Sequence, residues 1–294
     1  MTARLLAGGI GYEMGRHFPN PGDPVGATRM MLEEPALVHD LHEGYLEAGA
    51  EIITTNTGAA NHRLLNRHGL GDRFAEANRI ACEAAVTARD SVNPAALIAG
   101  VLPPISQSDD PNDLPPLGLM EAEYAELALM LAPQVDLFIC ESMWSAAQAF
   151  AAARAARAAG RPVWVAFTLR DAGEPVLRGG ERIADAATLL QDIAVDALLL
   201  SCTTPEMVTL GLPELIRAAD GVEVGAYANA YRDVPGEWQA GKNLEALMIR
   251  EDIDAEAYAA YAEHWLDEGA TIIGGCCEVG PAYLARLKLL IEGR

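Results

Sequence analysis

The sequence predicts a (β/α)8 TIM barrel, and three observations carry the prediction. Short runs rich in Val, Ile and Leu alternate with helical patterns from end to end. Eight such pairs fit into 294 residues, close to the ~250 of an ordinary barrel. The apolar runs mostly lack strict alternation, as strands covered on both faces do. A single barrel domain over residues 1–294 accounts for the whole chain, because no linker, low-complexity segment or short repeat interrupts the pattern. An open doubly wound sheet is the alternative, and it is weakly supported. Gly8-Gly9-Ile10-Gly11 lacks the full dinucleotide fingerprint.

Strands are expected at 5–10, 51–55, 96–101, 135–140, 162–168, 197–202, 222–226 and 271–274. Helices are expected at about 34–49, 72–90, 121–133, 144–159, 184–194, 206–219, 254–268 and 281–292. Leu37, Leu41 and Tyr45 repeat at helical spacing, as do Tyr258, Tyr261 and Trp265, and Leu284, Leu287 and Ile291. Each set gives one apolar face. Pro205 and Pro281 stand where a first helical turn tolerates proline. The Ala-rich stretch 145–160 reads as a helix packed closely on its neighbours. Three long connections, 15–33, 102–120 and 229–252, follow the first, third and seventh strands. They therefore lie on the C-terminal face, where barrel active sites form. There they wall a pocket or merely decorate the surface; Trp238 in the last is either a pocket wall or a surface residue.

Charge excludes some functions. The net charge of -21 argues against nucleic acid, whose binding needs Lys and Arg at phosphates, and against an anionic membrane surface. No leader pattern opens the chain, and no apolar run reaches the ~18 residues of a spanning helix. The expectation is a cytoplasmic protein with reduced thiols. Its five cysteines do not read as a disulfide framework; clustered cysteines in that setting point to metal or catalysis.

Three of them cluster in the barrel frame. Cys276 and Cys277 follow Gly274-Gly275 at the end of the eighth strand, and Cys202 ends the sixth. Residues ending strands two apart share one rim, so the three meet at the mouth. Zinc favours thiolates in a tetrahedral shell, and three protein ligands leave a fourth position for substrate. Regular alternation would send Cys276 and Cys277 to opposite faces, so the chain must leave strand geometry there, which Gly274-Gly275 permits. Spacing leaves other readings open: small core residues, a vicinal disulfide, or a phosphate site at Gly274-Gly275. Cys82 reads as helix packing, and Cys140 as facing away from its neighbour Glu141. His39 and His42 read as packing or capping rather than metal-binding.

Taken in order, the motifs resemble the zinc-dependent homocysteine S-methyltransferase family. Ile272-Ile273-Gly274-Gly275-Cys276-Cys277 with Pro281 is the most specific element. The segment 49–57, Glu141 after Phe138-Ile139-Cys140, Ser201-Cys202 with Pro205, Tyr227-Ala228-Asn229-Ala230, and Trp265 before Gly269-Ala270 follow the family order. The resemblance implies that Cys202, Cys276 and Cys277 ligate one zinc ion (Zn2+), with homocysteine sulfur as fourth ligand. It implies that Glu141 binds the substrate amino group, with a Glu paired inside the barrel as the alternative, and that Gly8 and Gly9 contribute to substrate binding; Asn56 and Asn229 either hydrogen-bond substrate or serve a turn or strand end. The resemblance leaves the donor open among S-methylmethionine, S-adenosylmethionine, betaine and methylcobalamin, the last reaching it from a corrinoid protein if the chain is the homocysteine module of a split methionine synthase. The chain departs from the family where Ala7 replaces a strand-one Asp, where Glu278-Val279-Gly280-Pro281 replaces Gly-Thr-Thr-Pro, and at Ser201 and Ala228. A non-catalytic zinc- or thiol-binding barrel that docks on a partner is the competing reading.

Overall fold

A computed structural model describes residues 3–17, 23–106, 110–231 and 249–294. Eight parallel strands form one sheet: β1 Arg4–Leu5, β2 Ile52–Thr54, β3 Leu97–Leu102, β4 Leu137–Met143, β5 Val163–Phe167, β6 Ala197–Ser201, β7 Glu223–Tyr227 and β8 Ile272–Ile273. Each strand pairs with the next in sequence from β2 to β8, and β8 pairs with β1. A parallel bridge between Leu6 and Ile52 closes the ring. Its hydrogen bonds are Ala7 N–H to Ile52 O at 2.8 Å and Glu51 N–H to Leu5 O at 2.8 Å. The predicted barrel is the observed one.

Side-chain alternation sets what faces inward. Leu137 and Ile139 of β4, Trp164 and Ala166 of β5, Ala197 and Leu199 of β6, and Ile272 of β8 fill the interior. Their neighbours Phe138, Cys140, Val165, Phe167, Leu198, Leu200 and Ile273 pack outward under the helices. Both sets are apolar, which is why the sequence shows runs rather than a two-residue rhythm.

Around the sheet, among the described residues, lie helices α1 Ile10–Arg16, α2 Gly26–Glu33, α3 Pro35–Glu47, α4 His62–Arg67, α5 Phe74–Val92, α6 Leu117–Leu131, α7 Ala146–Ala158, α8 Ile183–Leu189, α9 Pro205–Ala218, α10 Ala255–Glu268 and α11 Pro281–Glu292. The expected strand at 5–10 stops early: Gly8 and Gly9 carry the chain out of the sheet, and α1 begins at Ile10. Part of the expected connection 15–33 is α2, while 18–22 lies outside the described residues. Helix α4 was not expected, although Asn61 caps it by accepting from Leu64 N–H at 2.8 Å. The helix expected at 184–194 ends at Leu189, and a short 3-10 turn leads to left-handed Ala194. Trp238 and most of 229–252 lie outside the described residues, as does 107–109 of the third-strand connection.

His42 on α3 is 1% exposed, and neither ring nitrogen has a hydrogen-bond partner. Burial, with His39 adding repulsion, pushes its imidazolium down from 6.5 to about 3. The unfolded chain therefore takes up a proton below pH 6.5 that the folded chain refuses, so stability present above that pH is lost as pH falls toward 3. Between pH 7 and 5 the loss is about 2 kcal/mol. In His42→Leu, the fall in unfolding free energy over that interval is expected to shrink by this amount; equal falls in variant and wild type would contradict it.

Candidate metal centre

The site is built on the C-terminal rim, where β6 and β8 end. Cys202 follows β6 directly and adopts a left-handed backbone, φ 52°. Gly274 and Gly275 then take the chain out of β8. Cys276 N–H is held by Ala228 O at 2.9 Å, and Val279 N–H returns to Cys276 O at 3.2 Å, closing a tight turn. Within that turn Glu278 has φ 66°. The departure from strand geometry expected at the paired cysteines is thus present, and both side chains turn to one side. The Tyr258 phenol of α10 pins both strand ends, donating to Gly274 O at 2.8 Å and lying 3.1 Å from Ala228 O.

Cys202, Cys276 and Cys277 each bring a sulfur within 4.8 Å of the other two. Cys202 and Cys276 are joined as a disulfide with Cα atoms 5.7 Å apart, and Cys277 stays a free thiol, its sulfur 3.9 Å from that of Cys276. This pairing differs from the vicinal Cys276–Cys277 bridge that the sequence leaves open. Bridging follows from the shared rim, which sets the two Cα atoms within disulfide reach. Burial, together with the nearby Glu141 charge, pushes the Cys277 thiol up to about 12. Three soft donors at this spacing fit one thiophilic cation such as zinc once the bridge is reduced, and a cation would reverse the bias toward protonated thiols.

Beside the sulfurs lies a cavity of about 190 Å³ reaching down to Leu6 and Tyr227. Glu141 is the one carboxylate among its described lining residues, which include neither Lys nor Arg. It faces inward because it continues the Leu137–Ile139 face of β4; Cys140 lies on the opposite face, as expected. Burial pushes the Glu141 carboxyl up to about 7, with the Tyr227 phenol pulling the other way. That phenol donates to Glu141 Oε1 at 3.4 Å. The next residue, Ser142, has φ 55°, and the register of β4 shifts between Cys140 and Met143. Left-handed non-glycine residues at Ser142, Cys202 and Glu278 thus gather around one site; such conformations cost about 1–3 kcal/mol each and persist where surroundings enforce them.

The other expected site residues divide. Asn56 lines the cavity, and its neighbours fix it: Thr55 Oγ1 accepts from Val101 N–H at 3.0 Å, and Thr57 Oγ1 donates to Val101 O at 2.7 Å. Gly8 and Gly9 line it too, but their contacts are with the cysteine turn. Gly9 N–H donates to Cys276 O at 3.2 Å, and a Cβ on Gly8 would stand 2.0 Å from Val279 O. Asn229 is not among the described lining residues: it is buried, and its Oδ1 accepts from Tyr231 N–H at 3.2 Å, closing its own turn. Ala7 lines the wall without offering a carboxylate. Sequence reasoning did not assign Tyr227 or Tyr12 to the site. Tyr227 ends β7 on the inward face, a position legible from the two-residue period; Tyr12 sits on α1, whose existence was not foreseen.

A family model described as homocysteine S-methyltransferase matches residues 4–291. Selenocysteine methyltransferase of Astragalus bisulcatus is 26% identical over 99% of this chain and 94% of its own length. Methionine synthase of Mycobacterium tuberculosis is 29% identical over 90% of this chain, a match that spans 22% of that longer protein. Among solved structures, the metallated form of the homocysteine methyltransferase MmuM from Escherichia coli superposes with a TM-score of 0.81 at 24% identity, covering 98% of this chain and 96% of that one. At that identity the superposition speaks to the fold.

Proposed function

This chain belongs to the homocysteine S-methyltransferase family, and from that premise we propose that it methylates the thiol of homocysteine to give methionine, with Cys202, Cys276 and Cys277 holding one zinc ion. The observation that carries the metal reading is the convergence of three cysteine sulfurs at the mouth of a cavity that holds a single carboxylate. The chemistry zinc supplies when bound is an acceptor thiol kept as thiolate at neutral pH, which suits attack on an activated methyl more than hydrolysis, because three thiolates leave little Lewis acidity.

The chain's own residues do the rest. Glu141 accepts hydrogen bonds from the acceptor's ammonium group, and that positive charge draws the carboxyl back toward its ionised form. Tyr227 holds Glu141 in place. Asn56 offers a side-chain amide at the cavity wall. With Ala7 in place of a carboxylate, Glu141 carries recognition of the ammonium alone among the described lining residues. The cavity orients the acceptor sulfur toward the open rim, where its bond to the methyl carbon forms as the donor's bond breaks and the donor leaves with the electron pair. The whole chain acts as one barrel domain in a reducing compartment, the cytoplasm, where the thiols persist. No described helix is long and apolar enough to cross a membrane. A corrinoid protein carrying methylcobalamin is the alternative donor, favoured by the partial match to a methionine synthase.

Metal analysis of reduced protein joined to a donor panel tests the reading. S-methylmethionine, S-adenosylmethionine, betaine and methylcobalamin are each offered with homocysteine. The expected result is one zinc per chain and methionine from one donor class. Full activity after complete metal removal would sink the zinc assignment; stoichiometric zinc and homocysteine binding without turnover with any donor would favour the non-catalytic barrel.

A further inference from the structure

The connection from β5 to α8 folds into a small antiparallel ribbon, with Leu169 opposite Leu177 and Val176 opposite Arg182. It turns Arg178 toward the turn that carries Cys202. The guanidinium makes three contacts there: Nε to Leu169 O at 3.2 Å, Nη2 to Asp171 Oδ2 at 3.1 Å, and Nη2 to Cys202 O at 3.3 Å. The other oxygen of Asp171 accepts from Thr203 Oγ1 at 3.0 Å. The ion pair is well buried, with side-chain exposures of 13% for Arg178 and 7% for Asp171. One charged pair thus grips the chain on both sides of the Cys202 peptide: Arg178 through the Cys202 carbonyl, Asp171 through the next hydroxyl.

That grip falls on a residue that needs it. Cys202 has φ 52°, where a side chain is unfavourable and neighbours must enforce the conformation. Its own N–H reaches Tyr227 O at a long 3.4 Å, so strand pairing alone holds it weakly. Electrostatics points the same way. A divalent ion with three thiolates carries a net negative charge, and an acceptor thiolate adds to it. None of the described cavity-lining residues is cationic, and Arg178 stands just behind the rim.

We propose that Arg178, with Asp171 and Thr203, is a positioning residue for the metal centre. It holds Cys202 in the conformation that aims its sulfur at the other two, and within its ion pair with Asp171 the guanidinium is the end that meets the Cys202 carbonyl. The inference rests on the reading that the three cysteines hold zinc. Groups that orient metal ligands from behind typically contribute 10–100-fold in metal affinity, and this arrangement places Arg178 in that position.

The test is zinc affinity of the reduced full-length chain, measured by competition with a chromophoric chelator and by the visible spectrum of the cobalt-loaded protein. Arg178→Met is expected to bind zinc at least ~10-fold more weakly, with altered cobalt bands. Arg178→Lys keeps the charge but offers one nitrogen where the fork offers several, and is expected to fall between Met and wild type. Zinc affinity of Arg178→Met within twofold of wild type overturns the inference. Should Arg178→Met lack a cooperative melt, Arg178→Lys decides: weaker zinc binding at a wild-type melting temperature supports the proposal, and wild-type affinity overturns it. Wild-type protein that takes up no zinc overturns the metal reading, and this inference with it; zinc-binding wild type beside an equally competent Arg178→Met overturns the inference alone.

Discussion

Replacing Cys277 with serine is expected to remove bound zinc and to lower kcat/KM for methyl transfer by at least ~10³-fold, equivalent to about 4 kcal/mol of transition-state stabilisation. A serine hydroxyl does not ionise at neutral pH, and two remaining thiolates make a poor zinc shell. Cys277 is the informative position because it stays a free thiol while Cys202 and Cys276 pair with each other, so in the reduced protein its loss removes one ligand and leaves the other two in place. Cys140→Ala is the matched control. Cys140 is buried, but on the outer face of β4 under the helices, and its loss leaves zinc content unchanged. Zinc is measured by chelator release, and turnover as methionine formed. A Cys277→Ser protein with full zinc and undiminished kcat would remove Cys277 from the centre.

The second large effect is expected from a single methyl group. Gly8→Ala places a Cβ 2.0 Å from Val279 O and 2.8 Å from the Tyr45 ring. The first of these is backbone, which cannot swing aside as a flexible side chain can. Relief requires the turn holding Cys276 and Cys277 to back away from the connection between β1 and α1. Overpacking of this kind costs about 3 kcal/mol or more, and here the displaced segment carries two of the three sulfurs. The expected outcome is a lowered urea midpoint together with weakened zinc binding. Gly58→Ala is the control: Gly58 also lines the cavity, yet an added Cβ there meets nothing within 4 Å. Wild-type stability and zinc affinity in Gly8→Ala would refute the view that this glycine seats the cysteine turn.

The barrel itself was legible because each strand is a Val-, Ile- or Leu-rich run and each long helix repeats its apolar face. Strand ends were less so. The run at 5–10 is apolar enough to read as strand throughout, and only the fit of Gly8 against the cysteine turn explains why it ends at Leu5; that fit depends on residues near 279, which local pattern does not reveal. The sulfur cluster was legible through topology, since strands six and eight share a rim. Glu141 facing in and Cys140 facing out followed from alternation. Asn229 shows the limit of reading residue type: the amide suits a ligand and a turn equally well, and its buried oxygen serves the turn. Arg178 was invisible because it and Asp171 lie in the β5–α8 connection, whose ribbon fold has no sequence rhythm, while Cys202 follows β6, beyond α8.

The pairing of β1 with β8 has a consequence for the order of assembly. The seat for the cysteine turn comes from Gly8 and Gly9 at the start of the chain, one sulfur comes from two-thirds of the way along, and two come from near its end. The three sulfurs and the seat of their turn thus come from opposite ends of the sequence. Loop-closure entropy opposes such distant contacts until the intervening strands have shortened the path. The pairing of β1 with β8 joins the two strands farthest apart in sequence, so it carries the largest loop-closure cost of any pair in the sheet. The sulfurs themselves need only β6, β7 and β8 side by side; the seat that Gly8 and Gly9 give their turn is the part that waits for the ring to shut.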